Sequence, residues 1–234
     1  MRYWLVMPAA GQGQRFGGTQ PKQFERLGEL TVMETALGVF LGDERCVGIA
    51  VATAPGAELR LNAATRSRVR IAAGGAQRCQ SVLAGLEALA AEAGADEWVL
   101  VHDAARPCLS RADLDQLLAA GGTEPDGALL AEPVGDTVKQ ADPDERCVGT
   151  VPRARLWRAQ TPQMFRFGRL RASLHAALAA GRMPTDESEA IEWAGGRPRL
   201  VAATASNLKI TRREDLLIAA AILAARQCAP RSGS

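Results

Sequence analysis

Residues 8–24 read PAAGQGQRFGGTQPKQF, with four glycines, one arginine and one lysine directly after an apolar run. Glycines let backbone N–H groups turn toward an anion with no Cβ in the way. Arg15 and Lys22 add two full positive charges from the same stretch. The chemistry this suggests is phosphate binding, yet neither common phosphate loop is present. Gly11 and Gly13 begin a G-x-G-x-x-G fingerprint, but position 16 is Phe16 and the next glycine is Gly17. Gly13 and Gly18 have the spacing of a G-x-x-x-x-G-K-[ST] loop, but Thr19 stands where the lysine should be. Further along, GGAQRCQS brings Gly74, Gly75, Arg78 and Ser81, and HDAARP brings Asp103 and Arg106. DTVK and VPR bring Thr137, Lys139 and Arg153, TDE brings Thr185, and NLKIT brings Lys209. Several cations around one clear carboxylate suit a polyanionic substrate with a divalent metal. Mg²⁺ usually takes one or two carboxylates together with phosphate oxygens.

These residues need a scaffold that gathers them. Apolar runs predict strands at 3–7, 47–52, 69–73, 97–101, 127–131 and 198–203. Their continuous apolar character predicts strands covered on both faces. Helical patterns lie between them, at 78–93, 110–120, 167–181 and 211–227. In the first, Val82, Leu83, Leu86, Leu89 and Ala90 share one face. Ser110 is an N-cap with Asp113 at the third helical position, and TDESEA opens a further helix with Thr185 or Asp186 as its cap. Alternation of this kind predicts an α/β fold with a mostly parallel sheet and helices on both faces. Ligands of such sheets bind at the carboxyl ends of the strands, which is where the glycine loop, GGAQR, HDAAR and NLK fall. The whole chain, 1–234, reads as one domain. Segment 132–157 has no helical period; two extended pieces flank the turn signal DPDE. A hairpin of that kind is marginal alone, so it reads as a protruding dimerisation arm.

Composition excludes several classes. A net charge of +2 without a long basic run gives no sign of a nucleic-acid partner. The opening apolar run is too short for a signal segment or a membrane span, so the chain is expected in the cytoplasm. Five cysteines with no C-x-x-C fit reduced thiols, mostly packed as small hydrophobes, and two distant histidines argue against a zinc site.

In order, the motifs PAAGQGQRFGG.QPKQF, GG.QR..SV..GL, VHDAARP, DTVK, TVPR..LW.AQTPQ.F, TDE and NLKIT..EDL run from about Leu5 to about Ala221. Together they resemble the 2-C-methyl-D-erythritol 4-phosphate cytidylyltransferases of the non-mevalonate isoprenoid pathway. The resemblance implies a Rossmann-like nucleotidyltransferase sheet and transfer of CMP from CTP to methylerythritol phosphate, with Mg²⁺ and release of pyrophosphate. It implies that Arg15 and Lys22 stabilise the transition state. It implies that Ala9, Ala10, Gly11, Gly13, Gly75, Ser81 and Asp103 meet CTP. Arg153 and Lys209 would position the acceptor, supported by Thr137, Arg106 and Thr185, and Asp103 is the candidate metal contact. The arm implies a homodimer. Gln14 and Ala76 depart from the pattern, standing where a basic and an acidic residue are common, and Ala76 removes a side-chain contact to the cytosine amine. Two other readings stay open: a ribitol-5-phosphate cytidylyltransferase, against which Ala105 in HDAARP counts, and a non-catalytic nucleotide-binding regulator, which would not require Arg15, Lys22 or Lys209.

Overall fold

The computed structural model describes residues 1–11, 16–17, 20–57 and 66–228. Its first strand, β1 (Tyr3–Ala9), shows why the sheet is buried on both faces. Tyr3, Leu5, Met7 and Ala9 point into one apolar cluster, and Trp4 and Val6 into another. This is the strand period of two with both sides covered. A 3₁₀ turn at Lys22–Phe24 and a short hairpin of β2 (Arg26–Leu27) and β3 (Leu30–Thr31) lead into α1 (Val32–Leu41). That helix was not anticipated. Thr31 and Glu34 form a reciprocal capping box at its start, with Glu34 N donating to Thr31 Oγ1 and Thr31 N donating to Glu34 Oε2.

The chain continues through β4 (Cys46–Thr53), β5 (Val69–Ala73), α2 (Arg78–Leu89), β6 (Trp98–Val101), α3 (Arg111–Gly121) and β7 (Ala128–Pro133). After the arm strands β8 (Val138–Ala141) and β9 (Cys147–Val151) come β10 (Trp157–Arg166), α4 (Phe167–Ala179), α5 (Glu187–Trp193), β11 (Arg199–Ala202) and α6 (Glu214–Cys228). The main sheet has the order β11-β7-β10-β6-β1-β4-β5. It is parallel except for β10, which runs antiparallel to β6 and β7. Helices α1 and α3 pack on one face, and α2, α4 and α5 on the other. Helix α6 closes a third cluster with Phe16, Leu27, Val32, Cys108 and Ile210. The fold is therefore the mostly parallel α/β sheet expected. Cys46, Cys79 and Cys108 are buried free thiols, while Cys147 and Cys228 are exposed. Among the described residues no helix is long and apolar enough to cross a membrane.

One strand departs from the sequence reading. No strand was assigned to 157–166, yet β10 lies in the middle of the sheet. Pro162 is tolerated there because the ladder with β7 shifts register between Ala159 and Gln163, so the missing N–H interrupts no paired stretch. The arm strands β8 and β9 pair with each other in a separate sheet, and no residue from 132 to 159 is buried. Residues 132 and 133 end β7 and Trp157 begins β10, so the arm rises directly from the central sheet.

Candidate active site

A cleft lies beyond the carboxyl ends of β1, β5 and β6. Ala9, Ala10, Gly11, Lys22, Gly75, Ser81, Asp103 and Lys209 all line it. Chain segments distant in sequence thus supply one wall each. The glycine loop follows β1, and Gln23 sets its shape. Gln23 is 4% exposed and its Nε2 donates to the carbonyls of Ala9 and Gly11 at 2.7 and 2.9 Å. The loop meets the end of β5 closely, since a Cβ on Gly74 would lie 2.2 Å from the Cβ of Ala10. Only glycine permits that approach. Gly75 N donates to Ser81 Oγ at 3.1 Å, and the hydroxyl also lies 3.3 Å from the carbonyl of Gln77, fixing the turn into α2.

The charged floor is centred on Asp103, which is 7% exposed. Arg78 Nε donates to its Oδ1 at 2.9 Å, Lys209 Nζ lies 2.7 Å from Oδ2, and Arg106 Nε stands 3.8 Å from Oδ2. Burial alone would raise this carboxyl, but the Arg78, Lys209 and Arg106 cations outweigh it and hold Asp103 well below the usual carboxylate range. Lys22, in the 3₁₀ turn, reaches across to donate to the Ile210 carbonyl at 2.6 Å. The residue that carries this carbonyl is itself pinned, with Ile210 N donating to Ala105 O at 2.8 Å. The segment 207–210 therefore sets both lysines, one by its own side chain and one by its backbone.

β10 locks these pieces together. Asn207 Nδ2 donates to Gln160 Oε1 and to the Thr161 carbonyl, and Arg106 Nη1 donates to the Asn207 carbonyl. Asp103 N donates to Thr161 Oγ1 at 3.0 Å, which lies 3.1 Å from His102 Nδ1, while His102 Nε2 lies 3.0 Å from the Arg106 carbonyl. A carbonyl only accepts, so Nε2 carries the proton and Nδ1 accepts from the Thr161 hydroxyl. Burial lowers this imidazole from 6.5 to about 4, so it is neutral at pH 7. Protonation would set an N–H against the hydroxyl that already accepts from Asp103 N.

The sign of the pH effect follows. The folded pKa lies below the unfolded one, so between about 6.5 and about 4 the unfolded chain binds the extra proton. The contribution is complete above that window and is lost as pH falls through it, by at most about 3 kcal/mol. Urea unfolding at pH 7.0 and pH 4.5 is expected to show a lower midpoint at the acid value. The loss should shrink in His102→Gln; an equal loss in the variant would assign it to other groups.

Arg106 lies beside the cleft, within reach of Asp103. Thr185 does not line it; its N–H and hydroxyl donate to Glu189 Oε2, and Asp186 rather than Thr185 caps α5. Thr137 and Arg153 lie on the exposed arm, where Arg153 Nη1 bonds the Gly135 carbonyl, and neither lines the cleft of its own chain. Arg15 and Gly13 fall outside the described residues. The sequence reading did not single out Gln23, Asn207 or Glu187, although PKQF, NLKIT and TDE were recognised as motifs. Nothing in their residue types distinguishes a buried tether from an ordinary loop or cap.

The model of the family described as IspD, 2-C-methyl-D-erythritol 4-phosphate cytidylyltransferase, matches residues 3–225. The chain belongs to that family. The cytidylyltransferase of Ectopseudomonas mendocina (strain ymp) is 51% identical over 218 residues, covering 92% of this chain and 93% of the relative. That of Halorhodospira halophila is 50% identical over 238 residues, covering 97% and 96%. Among solved structures, the Francisella tularensis cytidylyltransferase superposes with a TM-score of 0.82 at 32% identity, covering 95% of this chain and 100% of that one. The Thermus thermophilus enzyme gives 0.80 at 31% identity, covering 96% and 100%. The cytidylyltransferase fold thus accounts for the sheet.

Proposed function

We propose that this chain transfers the cytidylyl group of CTP to 2-C-methyl-D-erythritol 4-phosphate, giving 4-diphosphocytidyl-2-C-methyl-D-erythritol and pyrophosphate. The observation that carries this reading is the convergence of Lys22, Arg78, Asp103 and Lys209 on one glycine-walled cleft, in a chain that matches the family over residues 3–225.

An oxygen of the acceptor phosphate attacks the α-phosphorus of CTP; that P–O bond forms, the α–β bridging bond breaks, and pyrophosphate leaves. A phosphate monoester is already anionic at pH 7, so no protein nucleophile is needed. The protein must bring two anions together and stabilise the charge that builds on the equatorial oxygens. Lys22, with Arg15, takes that role. Ala9, Ala10, Gly11, Gly13, Gly75 and Ser81 hold the nucleotide through backbone and small side chains. Lys209 and Arg153 hold the acceptor phosphate, with Arg106 and Thr137 in support. Because Thr137 and Arg153 stand away from their own chain's cleft on an unburied hairpin, we assign them to the cleft of a second copy in a homodimer. Both substrates are charged and water-soluble, and we place the reaction in the cytoplasm.

Mg²⁺ fits the residues present. Among the described residues there is no cluster of three His, Cys, Asp or Glu to cage a metal. Asp103 offers one cleft-facing carboxylate, each oxygen of which has one close cationic partner and keeps a second lone pair. One carboxylate with phosphate oxygens and water is the usual Mg²⁺ environment. Bound there, the ion would neutralise phosphate charge and draw electron density from the α-phosphorus.

Pyrophosphate release tests the reading. CTP with methylerythritol phosphate is expected to turn over strongly and ribitol 5-phosphate weakly; the reverse order would favour the ribitol enzyme, and no release with either would favour a binding protein. UTP should lower kcat/KM by about one to two decades, because a pocket that accepts from the cytosine amine leaves that acceptor unpaired against a carbonyl.

A further inference from the structure

Arg78 is held by two carboxylates. Its Nε donates to Asp103, while Nη1 and Nη2 donate to Glu187 Oε1 and Oε2 at 2.6 and 3.0 Å. Glu187 is 1% exposed and opens α5. Burial raises its carboxyl above the ordinary range, and the Arg78 guanidinium works against that rise. The backbone around it is fixed from β10: Gln163 Nε2 donates to Asp186 Oδ2 at 2.9 Å, and Ser188 N donates to Gln163 Oε1 at 2.8 Å. Arg78 lines the cleft and Glu187 does not.

We infer that Glu187 is a positioning residue for the cytidylyl transfer, acting through Arg78 on Asp103 and Lys209. The inference rests on the function proposed above. Its physical basis is competition for the arginine fork. A guanidinium prefers to grip a carboxylate with two parallel N–H groups. Glu187 occupies both Nη groups and leaves Asp103 only Nε. Asp103 Oδ2 is thereby kept for Lys209 at 2.7 Å. With Glu187 neutralised, Arg78 turns its two-donor edge to Asp103 and displaces the Lys209 ammonium from Oδ2. Lys209 then stands in a different place when the acceptor phosphate arrives. A glutamine at 187 accepts through one oxygen only and turns an N–H₂ toward a cation, so it cannot restore the fork.

The test is a kinetic cycle of Glu187→Gln, Arg78→Gln and the double variant, with each substrate varied in the pyrophosphate assay and melting curves recorded for each protein. Glu187→Gln is expected to raise the acceptor KM about tenfold, within the range for contacting residues of one ion-pair network, and to change the CTP KM by less than about threefold. Once Arg78→Gln is in place, adding Glu187→Gln should change kcat/KM by less than about twofold. A purely structural role would lower the melting temperature and leave the constants per folded molecule at wild-type values. That outcome, or full additivity in the cycle, overturns the inference. If Glu187→Gln does not fold, Glu187→Asp carries the test: a raised acceptor KM supports the inference, and wild-type constants overturn it. Absence of turnover in the wild-type chain would instead sink the proposed reaction.

Discussion

Replacing Lys22 by alanine lowers kcat by about 10²- to 10³-fold, the scale expected when one fixed donor to a charge-developing transition state is removed. The expectation comes from how Lys22 is held. Its 3₁₀ turn follows the glycine loop, and its ammonium is fixed on the Ile210 carbonyl at 2.6 Å, inside the same cleft as Asp103 and Lys209. A cation fixed before substrate arrives needs no reorganisation as charge builds, so its loss should appear in kcat. Lys209→Ala makes the contrast: it should raise the acceptor KM and leave the CTP KM nearly intact. Steady-state kinetics with each substrate varied in turn decides between them. Lys22→Ala with a raised KM and an unchanged kcat would show that Lys22 holds the ground state and not the transition state.

Mixing two inactive variants, Arg153→Ala and Lys22→Ala, restores activity to roughly a quarter of wild type under random two-fold pairing. Half of the dimers are then mixed, and each has one site with both residues intact. The motive is the arm, since no residue from 132 to 159 is buried, Val148 is 59% exposed and Trp157 is 37% exposed. An isolated hairpin of this sort is marginal in water, and it carries Thr137 and Arg153 away from their own cleft. Seating it on a second copy would bury it and deliver both residues to a site. Subunit exchange must be shown independently, for example with differently tagged chains; exchange without recovery would mean that the arm serves its own chain.

Much of this architecture was legible from the sequence, for identifiable reasons. Strands read as continuous apolar runs, and β1, β4 and β5 were placed to within two residues, although β5, at the sheet edge, leaves Ile71 exposed. Ser110 caps α3 as expected, with Asp113 N donating to its Oγ. The cleft was legible because ligand chemistry in a parallel sheet gathers at strand ends. β10 was not. Its segment AQTPQ is polar and contains a proline, which ordinarily argues against a central strand; only the pairing with β6 and β7 shows that Pro162 sits at a register shift. Helix α1 was missed despite a legible signal, the T-x-x-E capping box of Thr31 and Glu34. The tethers Gln23, Asn207 and Glu187 were illegible for another reason. Each is a common polar residue whose importance lies in burial and in partners 12 to 109 positions away.

The path of the chain through β7, the arm and β10 makes the arm the tip of one antiparallel hairpin whose stem is two neighbouring inner strands of the main sheet. Val134 N still bonds the Leu156 carbonyl at the point where the arm departs. An insertion at a hairpin tip leaves the stem's register and its packing untouched. The cleft walls come from other connections, after β1, β5, β6 and β11. Variation in arm length, or in the charges the arm carries, can therefore arise without disturbing the walls of the cleft. The arm and the cleft are thus separable parts of one sheet, built on different connections of the same strands.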